Sequence, residues 1–111
     1  MRNKAVLVVA CGASAFALSA TTVFAQSYPT KPIRMIVAYP PGGGTDIVGR
    51  MIAQKLSENF GQTVVIDNRG GAAGSIGSEI AAHAVPDGYT ILMGNVAPNA
   101  INVSLYARLG Y

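Results

Sequence analysis

Ile33-Arg34-Met35-Ile36-Val37-Ala38-Tyr39-Pro40-Pro41-Gly42-Gly43-Gly44-Thr45-Asp46 is the stretch that decides the fold of this chain. Its first half, Ile33 to Tyr39, is β-rich and mostly apolar, the pattern of a strand covered on both faces in a parallel sheet. Pro40 and Pro41 cannot donate to a ladder, so the strand stops there. Three glycines follow, and then Thr45 and Asp46, both good helix N-caps. Beyond them Ile47, Val48, Met51, Ile52, Leu56 and Phe60 form one face at helical spacing, with Arg50, Gln54, Lys55, Ser57 and Glu58 mainly on the other. The spacing predicts an amphipathic helix that ends at Gly61, a fitting C′ residue.

The same grammar repeats downstream. Thr63 to Asp67 reads as a short second strand. A second glycine loop, Gly70-Gly71-Ala72-Ala73-Gly74-Ser75-Ile76-Gly77, leads into a helix of about ten residues marked by Ile76, Ile80, Ala81 and Ala84. Pro86-Asp87-Gly88 supplies turn chemistry, and Tyr89 to Met93 is a third strand. Gly94 to Pro98 reads as loop, and Ala100 to Leu109 as a short helix or irregular chain. Strand, helix, strand, helix, strand with short connections and right-handed crossovers gives an α/β unit: a parallel sheet with flanking helices on both faces.

In such a sheet both glycine loops lie at the carboxyl ends of the strands. Each aims bare backbone N–H groups and a helix N-terminus into one crevice, which makes an anion site. Tight turning alone also explains glycines, and two such loops on one sheet edge favour binding. The phosphate-binding P-loop is excluded because Gly44 is followed by Thr45-Asp46 rather than Lys-Ser/Thr. Gly71, Gly74 and Gly77 have the wrong spacing for the dinucleotide fingerprint. Asp46 fits two roles, a helix cap that orders the glycine loop or a general base. Ser75 fits a ligand donor or helix cap, or a nucleophile, although no histidine accompanies it and G-x-S-x-G is absent. Arg69 reads as a surface arginine or an anion partner, and Tyr39 as core or pocket wall. His83 is the lone histidine, so no metal site and no metal or organic cofactor is expected.

The amino-terminal stretch has a different character. Arg2 and Lys4 precede an apolar run from Ala5 to Leu18, and Val23-Phe24-Ala25 ends the segment with a cleavable pattern. Residues 1–25 are therefore expected to be a secretory signal peptide. The run is short of the roughly 20 apolar residues a spanning helix needs. Val8-Val9-Ala10-Cys11 resembles a lipoprotein cleavage box, but the apolar core before it is too short and the run continues past it. Cys11 is the single cysteine, so a cut after Ala25 leaves neither disulfide nor thiolate chemistry. It also lowers the formal net charge from +3 to +1, over 86 residues. The remaining basic residues are scattered, which excludes a nucleic-acid patch and a membrane-binding stripe.

Taken in order, Pro32-x-Arg34-x-Ile36-Val37, Tyr39 to Asp46, Gly61-Gln62-x-Val64-Val65-x-Asp67-Asn68-Arg69, Gly74-Ser75-Ile76-Gly77, Pro86-Asp87-Gly88-Tyr89-Thr90-Ile91-Leu92 and Ser104-Leu105-Tyr106 resemble the Bug family. These are periplasmic solute-binding receptors of tripartite tricarboxylate transporters. The resemblance implies a two-lobed, type II-like periplasmic-binding-protein fold. Residues 26–111 would form the N-terminal portion of its first α/β lobe, with the second lobe missing. It implies no catalysis, a small di- or tricarboxylate or acidic amino acid as ligand, membrane permease subunits as partners, and no membrane insertion once the signal is removed. By residue it points to Gly43, Gly44, Thr45 and Asp46 in the first loop, and to Ala72, Ala73, Gly74 and Ser75 in the second. The loop after the third strand, near Asn95 and Asn99, is a further contributor. The family often has proline at Gly70, glycine at Ala73, histidine at Asn99 and proline at Val103, so this chain departs from it in the second and third loops. The competing reading is a secreted enzyme acting on an anionic small molecule. The shortage of acid–base partners counts against it.

Overall fold

A computed structural model describes residues 27–111. The expected signal segment and Cys11 lie outside the described residues. The chain forms β1 (Ile33–Val37), α1 (Gly44–Phe60), β2 (Val64–Asn68), a 3-10 turn (Ala72–Gly74) and α2 (Ser75–Ala82). It continues through β3 (Thr90–Met93), a π-helical turn (Ala97–Ile101) and α3 (Asn102–Leu105). The three strands make one parallel sheet in the order β2-β1-β3. The α/β reading and the parallel sheet are as the sequence predicts.

β1 is the central strand, and its residues carry the core. Ile33, Met35, Ile36, Val37 and Ala38 are all buried. Alternation sends Ile33, Met35 and Val37 to one face, where they meet Ala53 of α1 and Val64 of β2. Each such side chain contributes about 1.5–3 kcal/mol by leaving water. Ala38 lies on the opposite face, against Gly77 of α2. The two helices therefore cover opposite faces of the sheet, as right-handed crossovers require when the first runs from β1 to β2 and the second returns from β2 past β1 to β3. At the other end of the strands, Tyr28 packs on Phe60 and Tyr89, and its hydroxyl donates to the Gly88 carbonyl at 2.6 Å. These contacts tie the lead-in segment to the sheet.

The boundaries differ from expectation in instructive ways. β1 ends at Val37 rather than Tyr39, and the last bond along it is the one its Val37 carbonyl accepts from Arg69 N–H at 2.8 Å. β2 is shifted one residue, and α2 has eight residues rather than about ten. α1 starts before Thr45 and Asp46: Gly43 is its N-cap, with no side-chain cap, and the Gly43 carbonyl accepts Ile47 N–H at 3.0 Å. Gly61 does close α1, at φ 65°, donating its N–H to Ser57.

The orientation of α1 is the main correction. Ile47, Val48, Met51, Ile52 and Phe60, read as the packing stripe, are 40–64% exposed. Asp46, Gly49 and Ala53 are the buried residues of the helix. Small residues let α1 approach the sheet closely: a Cβ at Gly49 would lie 3.3 Å from a Val37 methyl. Asp46 must also face Asn68 at the end of β2, which fixes the helix's rotation. Most of the apolar stripe consequently points away from the sheet, where Val48, Met51 and Ile52 line a shallow patch, while Leu56 at the patch's edge is half-buried and packs against the core.

The tightest helix–sheet contact gives a test. A Cβ at Gly77 would sit 2.8 Å from the Ala38 Cα. Gly77→Val should destabilise the fold by about 1–3 kcal/mol through overpacking, read as a lower urea midpoint. A variant as stable as the parent would show that α2 does not rest on β1 through this residue.

Candidate functional site

The loops that leave the carboxyl ends of the three strands touch one another. A Cβ at Gly70 would lie 2.9 Å from the Pro40 Cδ, so the first loop and the second are in close contact here, and a side chain at this position would require one of them to shift. Tyr39 stands between the second and third loops. Its hydroxyl donates to Asn95 Oδ1 at 2.7 Å and lies 3.4 Å from the Ala73 carbonyl oxygen. Of the two roles read for Tyr39, this half-buried position is the wall between the loops, not the core.

The first loop is held from below by Asp46. This carboxylate is buried and accepts three hydrogen bonds: from Gly42 N–H at 2.8 Å, Arg50 Nε at 3.0 Å and Asn68 Nδ2 at 2.9 Å. Asn68 Nδ2 also donates to the Tyr39 carbonyl at 3.1 Å. One carboxylate thus joins the glycine loop, the first turn of α1 and the end of β2. The hydrogen bonds from Arg50, the Gly42 amide and Asn68 hold its pKa down at about 2. A carboxylate so occupied is a poor general base, and its oxygens are not free for a ligand. The loop-ordering half of the sequence reading therefore describes Asp46, although it sits in the first turn of α1 instead of capping it. Gly43 and Gly44 are exposed and Thr45 is half-buried, and the first-turn amides of α1 lack helical acceptors.

The second loop has an unusual backbone. Ala72 and Ala73 both adopt left-handed φ values, 46° and 52°, which cost a non-glycine residue of order 1 kcal/mol or more each. Both are exposed, whereas Gly74 is buried at φ 87° beneath Tyr39 and Pro98. Ser75, half-buried, opens α2. Two helix starts, at Gly44 and Ser75, therefore follow the first two loops at the carboxyl edge of the sheet, each with its positive dipole end there.

The third loop contributes differently from expectation. Asn95 Oδ1 accepts from both the Tyr39 hydroxyl and Ala97 N–H, so that oxygen is committed to holding loops together. Asn99 is exposed, and its carboxamide lies against Gly94. Sequence reasoning passed over Asn102, which is 1% exposed and donates to the Ala73 carbonyl and the Ser75 hydroxyl. It also passed over Arg50 and Asn68. Their only sequence signal was the Asp46–Arg50 spacing of one helical turn.

Arg69 is held by a carboxylate on the sheet. Its Nε donates to Asp67 Oδ1 at 2.9 Å, and Arg34 Nε donates to Asp67 Oδ2 at 2.8 Å. These bonds, with Arg34 the stronger influence, lower the Asp67 pKa. The group lines a groove of about 470 Å³ beside β2. No cluster of three or more metal-ligating side chains occurs among the described residues, and no described helix is long and apolar enough to cross a membrane.

Fold and site define a class: an α/β lobe of the periplasmic-binding-protein kind. Residues 48–111 match the family described as tripartite tricarboxylate transporter family receptor. The chain is 45% identical over 93 residues to the protein BugT of Bordetella pertussis, covering 83% of this chain and 28% of that one. Its structure is similar to that of an R. palustris protein with adipate, at TM-score 0.72 and 40% identity, over 76% of this chain and 28% of the other. It is equally similar to MatC from Rhodopseudomonas palustris with bound malate, at TM-score 0.72 and 33% identity, over 76% and 29%. This chain belongs to the tripartite tricarboxylate transporter receptor family, a family of solute-binding receptors and not of enzymes. It spans just over a quarter of the length of these relatives.

Asp46 makes the site's acid sensitivity testable. Its folded-state pKa lies below the ordinary 3.8, so its stabilising effect is complete above about pH 4 and is lost as pH falls toward 2. Asp67 acts in the same direction. Asp46→Asn should lower Tm at pH 7 and flatten the fall in Tm between about pH 4 and 2, measured by circular dichroism. An unchanged acid limb would assign the loss to other carboxylates.

Proposed function

We propose that this chain supplies one wall of a periplasmic receptor that captures a small carboxylate and delivers it to the permease subunits of a tripartite transporter. The observation that carries this reading is the pair of helix starts, at Gly44 and Ser75, at one edge of the sheet beside a buried carboxylate both of whose oxygens are already hydrogen-bonded. Such a place offers amide donors and positive dipole ends to an anion, and no competing free carboxylate. Gly43, Gly44, Thr45, Ala72, Ala73 and the Ser75 hydroxyl present the donors, and Gly74, whose N–H is bonded to the Gly71 carbonyl, shapes the turn between them. Asp46, Asn95 and the neighbouring side chains hold them in place. Relatives whose structures are described with malate and with adipate support a carboxylate as the ligand class. An enzymatic reading needs a titratable group near neutrality in the crevice, and Asp46, at about 2 and engaged by three donors, is unsuited to that work.

In this reading residues 1–25 direct export and residues 26–111 form the first part of one lobe, so a ligand is enclosed only when a second lobe closes on it. Protein expressed from the full reading frame should gain thermal stability with a subset of malate, adipate, citrate and glutamate. The gain should follow occupancy, about 2.7 kcal/mol at a ligand concentration one hundred times Kd. Residues 26–111 alone should bind the same compound far more weakly. Stabilisation by a nucleotide and by no carboxylate would overturn the proposal.

A further inference from the structure

Asn102 lies 27 and 29 residues beyond the two groups it touches, yet it is 1% exposed and its side chain ends in the second loop. Nδ2 donates one hydrogen to the Ala73 carbonyl at 3.2 Å and the other to Ser75 Oγ at 2.9 Å. The orientation of the carboxamide is fixed by chemistry. A carbonyl oxygen only accepts, so the atom facing Ala73 must be the NH₂ group. The same NH₂ then faces Ser75, whose hydroxyl oxygen is obliged to accept. A hydroxyl that accepts from Asn102 must send its own proton elsewhere, and no described residue receives it.

We propose that Asn102 is a positioning residue for the anion site. It acts in two ways, by pinning the left-handed Ala72–Ala73 turn through the Ala73 carbonyl and by polarising Ser75 as an outward donor. This rests on the carboxylate reading for its purpose but not for its geometry. The third loop then serves the site from behind, through Asn102 and the Asn95–Tyr39 bond, while the exposed Asn99 is not needed. Replacing the amide by a carboxylate reverses the sign of the arrangement. In Asn102→Asp both side-chain oxygens can only accept, so the Ser75 proton would turn inward and the Ala73 carbonyl would lose its donor and face a negative charge.

The test uses protein expressed from the full reading frame, with two readouts. The first is amide hydrogen exchange by NMR without ligand. Asn102→Ala and Asn102→Asp should speed exchange of the Gly74 and Ser75 amides about tenfold, since their turn bonds to Gly71 and Ala72 loosen, while Met35 to Val37 in β1 exchange as before. Ser75→Ala, which keeps the Ala73 bond, should leave that exchange unchanged. Loop amides as protected in Asn102→Ala as in the parent would overturn the proposal. The second readout is calorimetric titration with malate and with adipate. Asn102→Asp and Ser75→Ala should each weaken binding about tenfold, and the double variant should be no worse than Ser75→Ala by more than about threefold. Fully multiplicative losses would show that Asn102 does not act through Ser75, and would overturn that half. Should the parent bind neither compound, the carboxylate reading is what suffers, and the exchange measurement alone decides the role of Asn102.

Discussion

The arrangement of the loops hangs on one buried carboxylate. Asp46 meets Gly42 of the first loop, Arg50 one turn along α1 and Asn68 at the end of β2. A buried charge is tolerated only when its lone pairs are satisfied, so this ion fixes all three elements at once. The rotation of α1 about its axis follows from it. The helix buries Asp46, Gly49 and Ala53 because the carboxylate must reach Asn68, and all its long apolar side chains but Leu56 are carried round to the outside. The polar constraint outweighs the hydrophobic pattern here.

That outcome explains where the sequence was legible. The strands are short apolar runs bounded by proline and glycine, and such local signals placed all three within two residues at each end. The helix of Gly44–Phe60 was equally plain from its period. Which face of it packs was not. Gly49 and Ala53 contribute almost nothing to an apolar pattern, although their lack of bulk is what permits close approach to Val37. Periodicity registers large side chains, and this interface is made of small ones.

The site was legible in its loops and illegible in its supports. Glycine runs between strand and helix announce themselves. A carboxamide such as that of Asn102 gives no local signal, because its partners are 27 and 29 residues away and lie on a loop of another element. Tyr39 shows the same limit. The sequence left its role open, and the fold decides it by bringing Ala73 and Asn95 to either side of its hydroxyl. Arg69 was placed beside the loop by sequence but is drawn to Asp67 on the sheet face.

The two left-handed alanines have a consequence for the thermodynamics of recognition. Glycine would adopt the same angles at less steric cost, but it would also sample many others when the crevice is empty. An alanine held there by Asn102 has fewer conformations to lose. In the proposed receptor role, the strain is met once, during folding, and the ordering entropy that a flexible loop would lose at each encounter is lost before a ligand arrives. At Ala73 the chain has exchanged some stability for a loop whose shape is set in advance.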